Sequence, residues 1–127
     1  MPGVEQAKRI YQLMVLTAWV DGSVDASEAL AVHEIVAALP AFKDIGSKTE
    51  LSKAVKARID EKGADAALRE TAVLLTDRAD RELAFRCCAK VLDSDGEMGM
   101  EEAEALATLQ ELFGFSGEDV TRLMHNL

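Results

Sequence analysis

The sequence predicts an all-α protein, about seven helices in a compact bundle, with an internal pseudo-twofold helix-loop-helix duplication. Three observations predict it. Residue usage is rich in Ala, Leu, Glu, Lys and Val, aromatic residues make up 5% of the chain, and the prolines are confined to Pro2 and Pro40, which is helix-forming rather than sheet-forming usage. Apolar residues recur with the 3.6-residue period of a helix with one buried face. The segment Asp21-Gly22-Ser23-Val24-Asp25-Ala26-Ser27-Glu28 returns 74 positions later as Asp95-Gly96-Glu97-Met98-Gly99-Met100-Glu101-Glu102. In both copies an apolar-periodic segment runs into Asp-Gly, an apolar residue follows two places after the glycine, and a glutamate opens the next periodic segment.

Helix one is expected from Ala7 to Val20, with Ala7, Ile10, Tyr11, Met14 and Ala18 on one stripe and Leu13, Leu16 and Val20 widening it until the helix is nearly all buried. Asp21-Gly22 stops it, since glycine supplies the left-handed conformation that helix C-termini often need. Asp25 or Ser27 starts helix two, with Asp25-x-x-Glu28 spaced as a capping pair, an inner face of Ala29, Val32, Ile35, Val36 and Leu39, and Pro40 at its end. Ser47-Lys48-Thr49-Glu50 opens a third helix through Leu51, Val55 and Ile59 that stops at Gly63, with its lysines outward. A fourth runs through Leu68, Ala72 and Leu75 and breaks near Thr76-Asp77; a fifth runs from about Arg78 to Leu92. After the second loop, helix six turns Leu106, Leu109, Leu112 and Phe113 inward and ends at Gly114, and Ser116-x-x-Asp119 caps a seventh through Val120, Leu123 and Leu127.

At 127 residues the chain is read as one domain, 1–127, with repeat one about 7–39, bridging helices about 42–76 and repeat two about 81–113. Across the 33 aligned positions of the two repeats only five residues are identical, so the duplication lies in the placing of apolar and loop positions.

Twenty-three acidic against 14 basic residues give a formal charge of −9, which disfavours nucleic acid and leaves cations, basic partner surfaces or plain solubility. Lys8 to Val20 imitates a signal peptide, but Gln12 and Thr17 interrupt it, no small-x-small cleavage site precedes Asp21, and the second copy repeats the arrangement in mid-chain. No apolar run approaches the ~20 residues that span a bilayer, so no membrane insertion is expected. Cys87 and Cys88 are adjacent, give no disulfide framework, and lie in the apolar pattern Ala84, Cys87, Cys88, Val91, which points to buried thiols and a cytoplasmic location.

The loops are where function is expected. Calcium-binding helix-loop-helix sites place oxygen ligands at loop positions 1, 3, 5, 7, 9 and 12 and glycine at 6. With Gly96 at position 6, Asp93, Asp95 and Glu102 fall at 3, 5 and 12; the same register in the first copy puts Asp21, Asp25 and Glu28 at 5, 9 and 12. Position 1 is then Val91 or Thr17, so neither loop is a standard calcium site. A second register, with Asp93, Asp95, Glu97 and Glu104 at 1, 3, 5 and 12, fails in the first copy, where Trp19 and Leu30 take the first and last places. The candidate metal ligands are therefore Asp21, Asp25, Glu28, Asp93, Asp95 and Glu102, for a divalent cation such as Ca²⁺ or Mg²⁺. Capping alone explains Asp25 and Glu28, because anions are favoured at helix N-termini. It does not explain the crowding of Asp93, Asp95, Glu97, Glu101 and Glu102, for which a cation or a basic protein partner is the other reading.

The stretches AWVDGSVDASEALAVHEI and KVLDSDGEMGMEEAEALATLQELFGFSGEDV resemble the TerB-like domain of tellurite-resistance proteins, and the chain is also similar to the N-terminal part of DjlA-type membrane co-chaperones. The resemblance covers nearly the whole chain. It implies a seven-helix bundle with pseudo-twofold symmetry, acidic residues at Asp21, Asp25, Glu28, Asp95 and Glu102, and a bacterial stress-response adaptor with a protein partner of the kind found at membranes or free of them. The second copy departs at Gly99, where the first has Asp25, which argues against two symmetric metal sites. These residues show no J-domain motif or anchor, so a DjlA-like co-chaperone activity is not expected.

Trp19 is expected to pack in the core, His33 and His125 to be exposed or capping, and Asp77, Arg78, Asp80, Arg81, Glu82 and Arg86 to form a solvated face of side-chain pairs. No nucleophile elbow or phosphate loop occurs, so no enzyme is expected and no catalytic residue is assigned.

Overall fold

The computed structural model describes residues 2–94, 96 and 98–125. Within them the chain forms seven α-helices, one 3-10 turn and no strand: α1 (Val4–Ala18), α2 (Ala26–Ala38), the turn Pro40–Phe42, α3 (Lys48–Lys62), α4 (Ala64–Ala72), α5 (Arg78–Leu92), α6 (Met100–Phe113) and α7 (Gly117–Met124). The expected all-α bundle is the observed one.

Helix α1 is the axis of the bundle. Ile10, Leu13, Met14 and Leu16 have no exposure, and the helix touches α2, α3, α4, α5 and α6. It ends at Ala18, two residues before the expected Val20. The Trp19 and Gly22 N–H groups bond back to Leu16 O (3.1 Å) and Trp19 O (2.9 Å), and Gly22 takes φ +95°, a conformation that a Cβ disfavours. Because the helix has already stopped, Trp19 sits at the edge of the core and is half-buried rather than buried, with the Lys56 ammonium 5.3 Å from its ring centre.

The inner face of α2 is rotated from the expected stripe. Ala31, Ile35 and Val36 are buried, Ala29 is exposed, and Glu28 is drawn inward. The capping pair fixes this: Asp25 accepts from the Glu28 N–H at 2.8 Å, and Glu28 accepts from the Asp25 N–H at 3.2 Å, holding the glutamate against the helix start. Helix α4 stops at Ala72 rather than Leu75, yet Leu75 stays buried through a turn in which its N–H reaches Ala72 O at 3.1 Å. The expected solvated face at the start of α5 also needs correcting at Asp80, which is 8% exposed and whose carboxyl is pushed up by burial and by Asp77. Around it, Arg78 pairs with Glu82 (3.2 Å) and Asp119 (3.1 Å), and Arg122 with Glu82 (3.0 Å), tying α5 to α7. Leu127, expected on the last helix, lies outside the described residues.

The duplication is visible bond by bond. Trp19 N–H to Val15 O, Val20 N–H to Thr17 O and Gly22 N–H to Trp19 O are matched by Asp93 N–H to Ala89 O, Ser94 N–H to Val91 O and Gly96 N–H to Asp93 O, and Gly96 repeats the positive φ at +80°. The two first helices, α1 and α5, form the most extensive helix-helix contact in the bundle. The bridging segment breaks the symmetry. Helix α4 packs against both α1 and α6 and buries Ala67, Leu68 and Ala72 completely between them, while α3 is linked to it by Glu70, which accepts from Arg58 (3.0 Å) and Lys62 (2.9 Å).

Candidate functional site

Each loop ends in a glutamate at the third position of the following helix. Glu28 and Glu102 occupy the same place in the two repeats and make the same bond, each accepting from the N–H of its helix's N-cap, Asp25 at 3.2 Å and Gly99 at 2.8 Å. These N-caps have nearly the same backbone, φ −83° and ψ 169° at Asp25 against φ −70° and ψ 172° at Gly99. Only the first returns a side-chain bond, because Gly99 has no side chain. A Cβ there would stand 3.2 Å from Glu102 Oε1.

The fold brings these two glutamates to one place. Glu28 is 2% exposed, Glu102 is half-buried, and the Glu102 carboxyl is near enough to Glu28 to raise its pKa. Burial, reinforced by the neighbouring Glu102 and Asp25, pushes the Glu28 carboxyl up to about 8. Its Oε1 is occupied by the Asp25 N–H, while Oε2 is buried with no hydrogen-bond donor. An oxygen in that position is costly unless a proton or a cation meets it.

The other candidates are arranged differently. Asp25 spends Oδ1 on the Glu28 N–H and on the Ser27 hydroxyl at 2.8 Å, and these bonds hold its carboxyl below the usual range. Asp21 is exposed and accepts from the Ser23 N–H at 3.2 Å, closing the first turn. Asp93 is exposed and caps the end of α5, at the mouth of a groove it lines together with Ser94 and with Ser27 of α2. Asp95 lies outside the described residues. Among the described residues, no three His, Cys, Asp or Glu side chains are grouped closely enough to enclose a metal ion.

The loops are not calcium loops of the standard kind, for a reason the structure makes plain. The residues at position 1, Thr17 and Val91, lie inside α1 and α5 with no exposure, and the Thr17 hydroxyl donates to Met14 O at 2.9 Å. What the arrangement offers instead is one carboxylate from each loop at a shared position. The sequence reading already named Glu28 and Glu102, at the same register after each Asp-Gly, as candidate ligands; the structure adds that Glu28 is buried and that its carboxyl feels Glu102.

The remaining side chains behave as structural groups. Cys87 and Cys88 are buried free thiols, the first pushed up to about 12 by burial and the second higher still. His33 is exposed on α2 and His125 is exposed just past the end of α7. Among the described residues no helix is long and apolar enough to cross a membrane.

No curated protein matches this chain, and no solved structure does. The family model described as tellurite resistance protein TerB matches residues 7–125, from the first turns of α1 to the end of α7. With nearly all of its length covered and its helices in the expected order, the chain belongs to the TerB family and is a module of the tellurite-resistance type.

Proposed function

We propose that the chain is a non-enzymatic, cytoplasmic adaptor module of the stress response, and that its paired acidic loops bind one divalent cation, Ca²⁺ or Mg²⁺. The observation that carries this is the orphaned, buried Oε2 of Glu28 beside the Glu102 carboxyl. Hard divalent cations take carboxylate, carbonyl and water oxygens, and a cation between the two glutamates satisfies the orphan and removes the repulsion between like charges. Glu28 and Glu102 bridge the repeats. Asp25, whose charge acts on Glu28, is the neighbouring carboxylate of the first loop; Asp21, Asp93 and Asp95 are the remaining candidate ligands by their loop positions in the sequence. Gly99 in place of a second aspartate favours one shared site over one site per loop. Calcium needs about six to eight oxygens, so main-chain carbonyls and water complete the shell.

Calorimetric titration of the metal-stripped protein with CaCl₂ and with MgCl₂ tests the reading, repeated on Glu28→Gln and on the Asp95→Asn, Glu102→Gln double variant. Saturable binding that both variants lose is the expected result. No heat and no thermal stabilisation up to about millimolar cation would overturn it, leaving the acidic loops as a docking surface for a basic partner with no metal.

A further inference from the structure

A groove of about 690 Å³ runs between α2 and α5, and we propose that it is a docking site for an amphipathic helix of a partner protein, apolar on one face and carrying carboxylates along one flank. The fold itself supplies the template. By the register of the two repeats, α2 corresponds to α6 and α5 to α1, so the groove between α2 and α5 is the twin of the one between α1 and α6. That twin is filled: α4 packs against both of its walls and buries Ala67, Leu68 and Ala72 completely. Among the described residues, no helix takes the place of α4 beside α2 and α5. The sequence of α2 fits an unfilled seat. Leu30 and Ala38 of α2 line the groove and are exposed, Leu30 at 56%. Leu30 stands where the second repeat has Glu104.

The floor is formed by Ala31 and Ile35 of α2 and by Leu83 and Cys87 of α5. Its length suits a helix of two to three turns, since the α5 side runs from Leu83 to Ser94, roughly 16 Å at the helical rise; α4, in the twin groove, has nine residues. Charge selects the flank. Arg86 and Lys90, one turn apart on the α5 wall, are exposed and have no ion-pair partner among the described residues. They line the α5 wall, which ends at the exposed Asp93, while the α2 wall carries the exposed Glu34, so the groove fits a partner helix whose acidic flank lies along Arg86 and Lys90 and away from Glu34.

The test uses two synthetic helical peptides with Leu and Ala on one face, one with Glu and one with Lys along the flank, titrated into the ¹⁵N-labelled full chain in EDTA. Working without cation separates this outcome from that of the cation site. Saturable amide shifts at Leu30, Ile35, Leu83 and Cys87 are expected, with the Glu peptide bound about tenfold tighter than the Lys peptide. Arg86→Glu with Lys90→Glu should reverse that order, and Leu30→Asp should weaken both peptides by about tenfold or more. The charge-reversal pair lies on an exposed face, so it reads the groove even if Leu30→Asp disturbs α2. The proposal is overturned by no shifts at millimolar peptide, by shifts that map elsewhere, by a Glu-over-Lys preference that survives charge reversal, or by self-association of the chain that Leu30→Asp abolishes, which would make the groove a contact between two copies.

Discussion

Glu28 and Glu102, separated by 74 residues and equivalent in the two repeats, are neighbours whose charges act on each other, and Glu28 Oε2 is buried without a donor. The pair brings equivalent positions of the two repeats together. Burial makes the charged form of Glu28 costly, so a proton must be held or a charge left buried.

The metal-free protein should therefore lose stability as pH rises. Glu28 has an ordinary value of 4.5 and is raised to about 8 in the fold, so the folded state holds a proton that the unfolded state releases across that window. The stability associated with the protonated form is complete below 4.5 and is lost progressively up to about 8. Glu28→Gln removes the titration and keeps an oxygen for the Asp25 N–H. Chemical denaturation at several pH values should show the variant more stable than the parent near neutral pH by about 1–3 kcal/mol, with a flatter profile. An unchanged profile would show that Glu28 is not the titrating group.

Cation binding should reverse that loss. A cation at a hundredfold excess over its Kd adds about 2.7 kcal/mol to the folded state, a rise of roughly 10 °C in melting temperature for a domain of this size. Differential scanning calorimetry with and without CaCl₂ reads it directly. The Asp95→Asn, Glu102→Gln variant should show no such rise.

Gly96 and Gly99 are three residues apart and should respond in opposite ways. Gly96 sits at φ +80°, so Gly96→Ala should cost about 1–2 kcal/mol. Gly99 has an ordinary N-cap backbone at φ −70°, and the Asp25 carboxyl fits the same position in the first repeat. Gly99→Ser should gain a few tenths of a kcal/mol by capping the start of α6. Urea unfolding of both variants separates the two effects.

The thiols should be silent in the native state. With Cys87 pushed up to about 12 and Cys88 buried beneath the surface, an aromatic disulfide reagent at pH 8 should label neither, and denaturant should release both. Fast labelling in native buffer would show that α5 opens readily.

Much of this protein was legible in the sequence because its information is local. The caps at Asp25, Ser47 and Ser116, the stop signals at Gly63 and Gly114, and the 3.6 period of α1 and α5 each act within a few residues, and each placed a helix end or a buried face. The repeat of Asp-Gly and glutamate at a fixed offset placed the two loops. Only the tertiary structure decided what those loops and helices meet. Glu28 reads as an exposed cap until α2 docks on α1 and α5 and carries it inward against Glu102, 74 residues away. The groove between α2 and α5 was equally hidden, since Leu30, Arg86 and Lys90 look like ordinary surface until α4 is seen to fill one of two equivalent seats. The reason is the same for both: periodicity shows which face of a helix is apolar, and only packing shows which apolar face is covered and which buried charge is left without a partner.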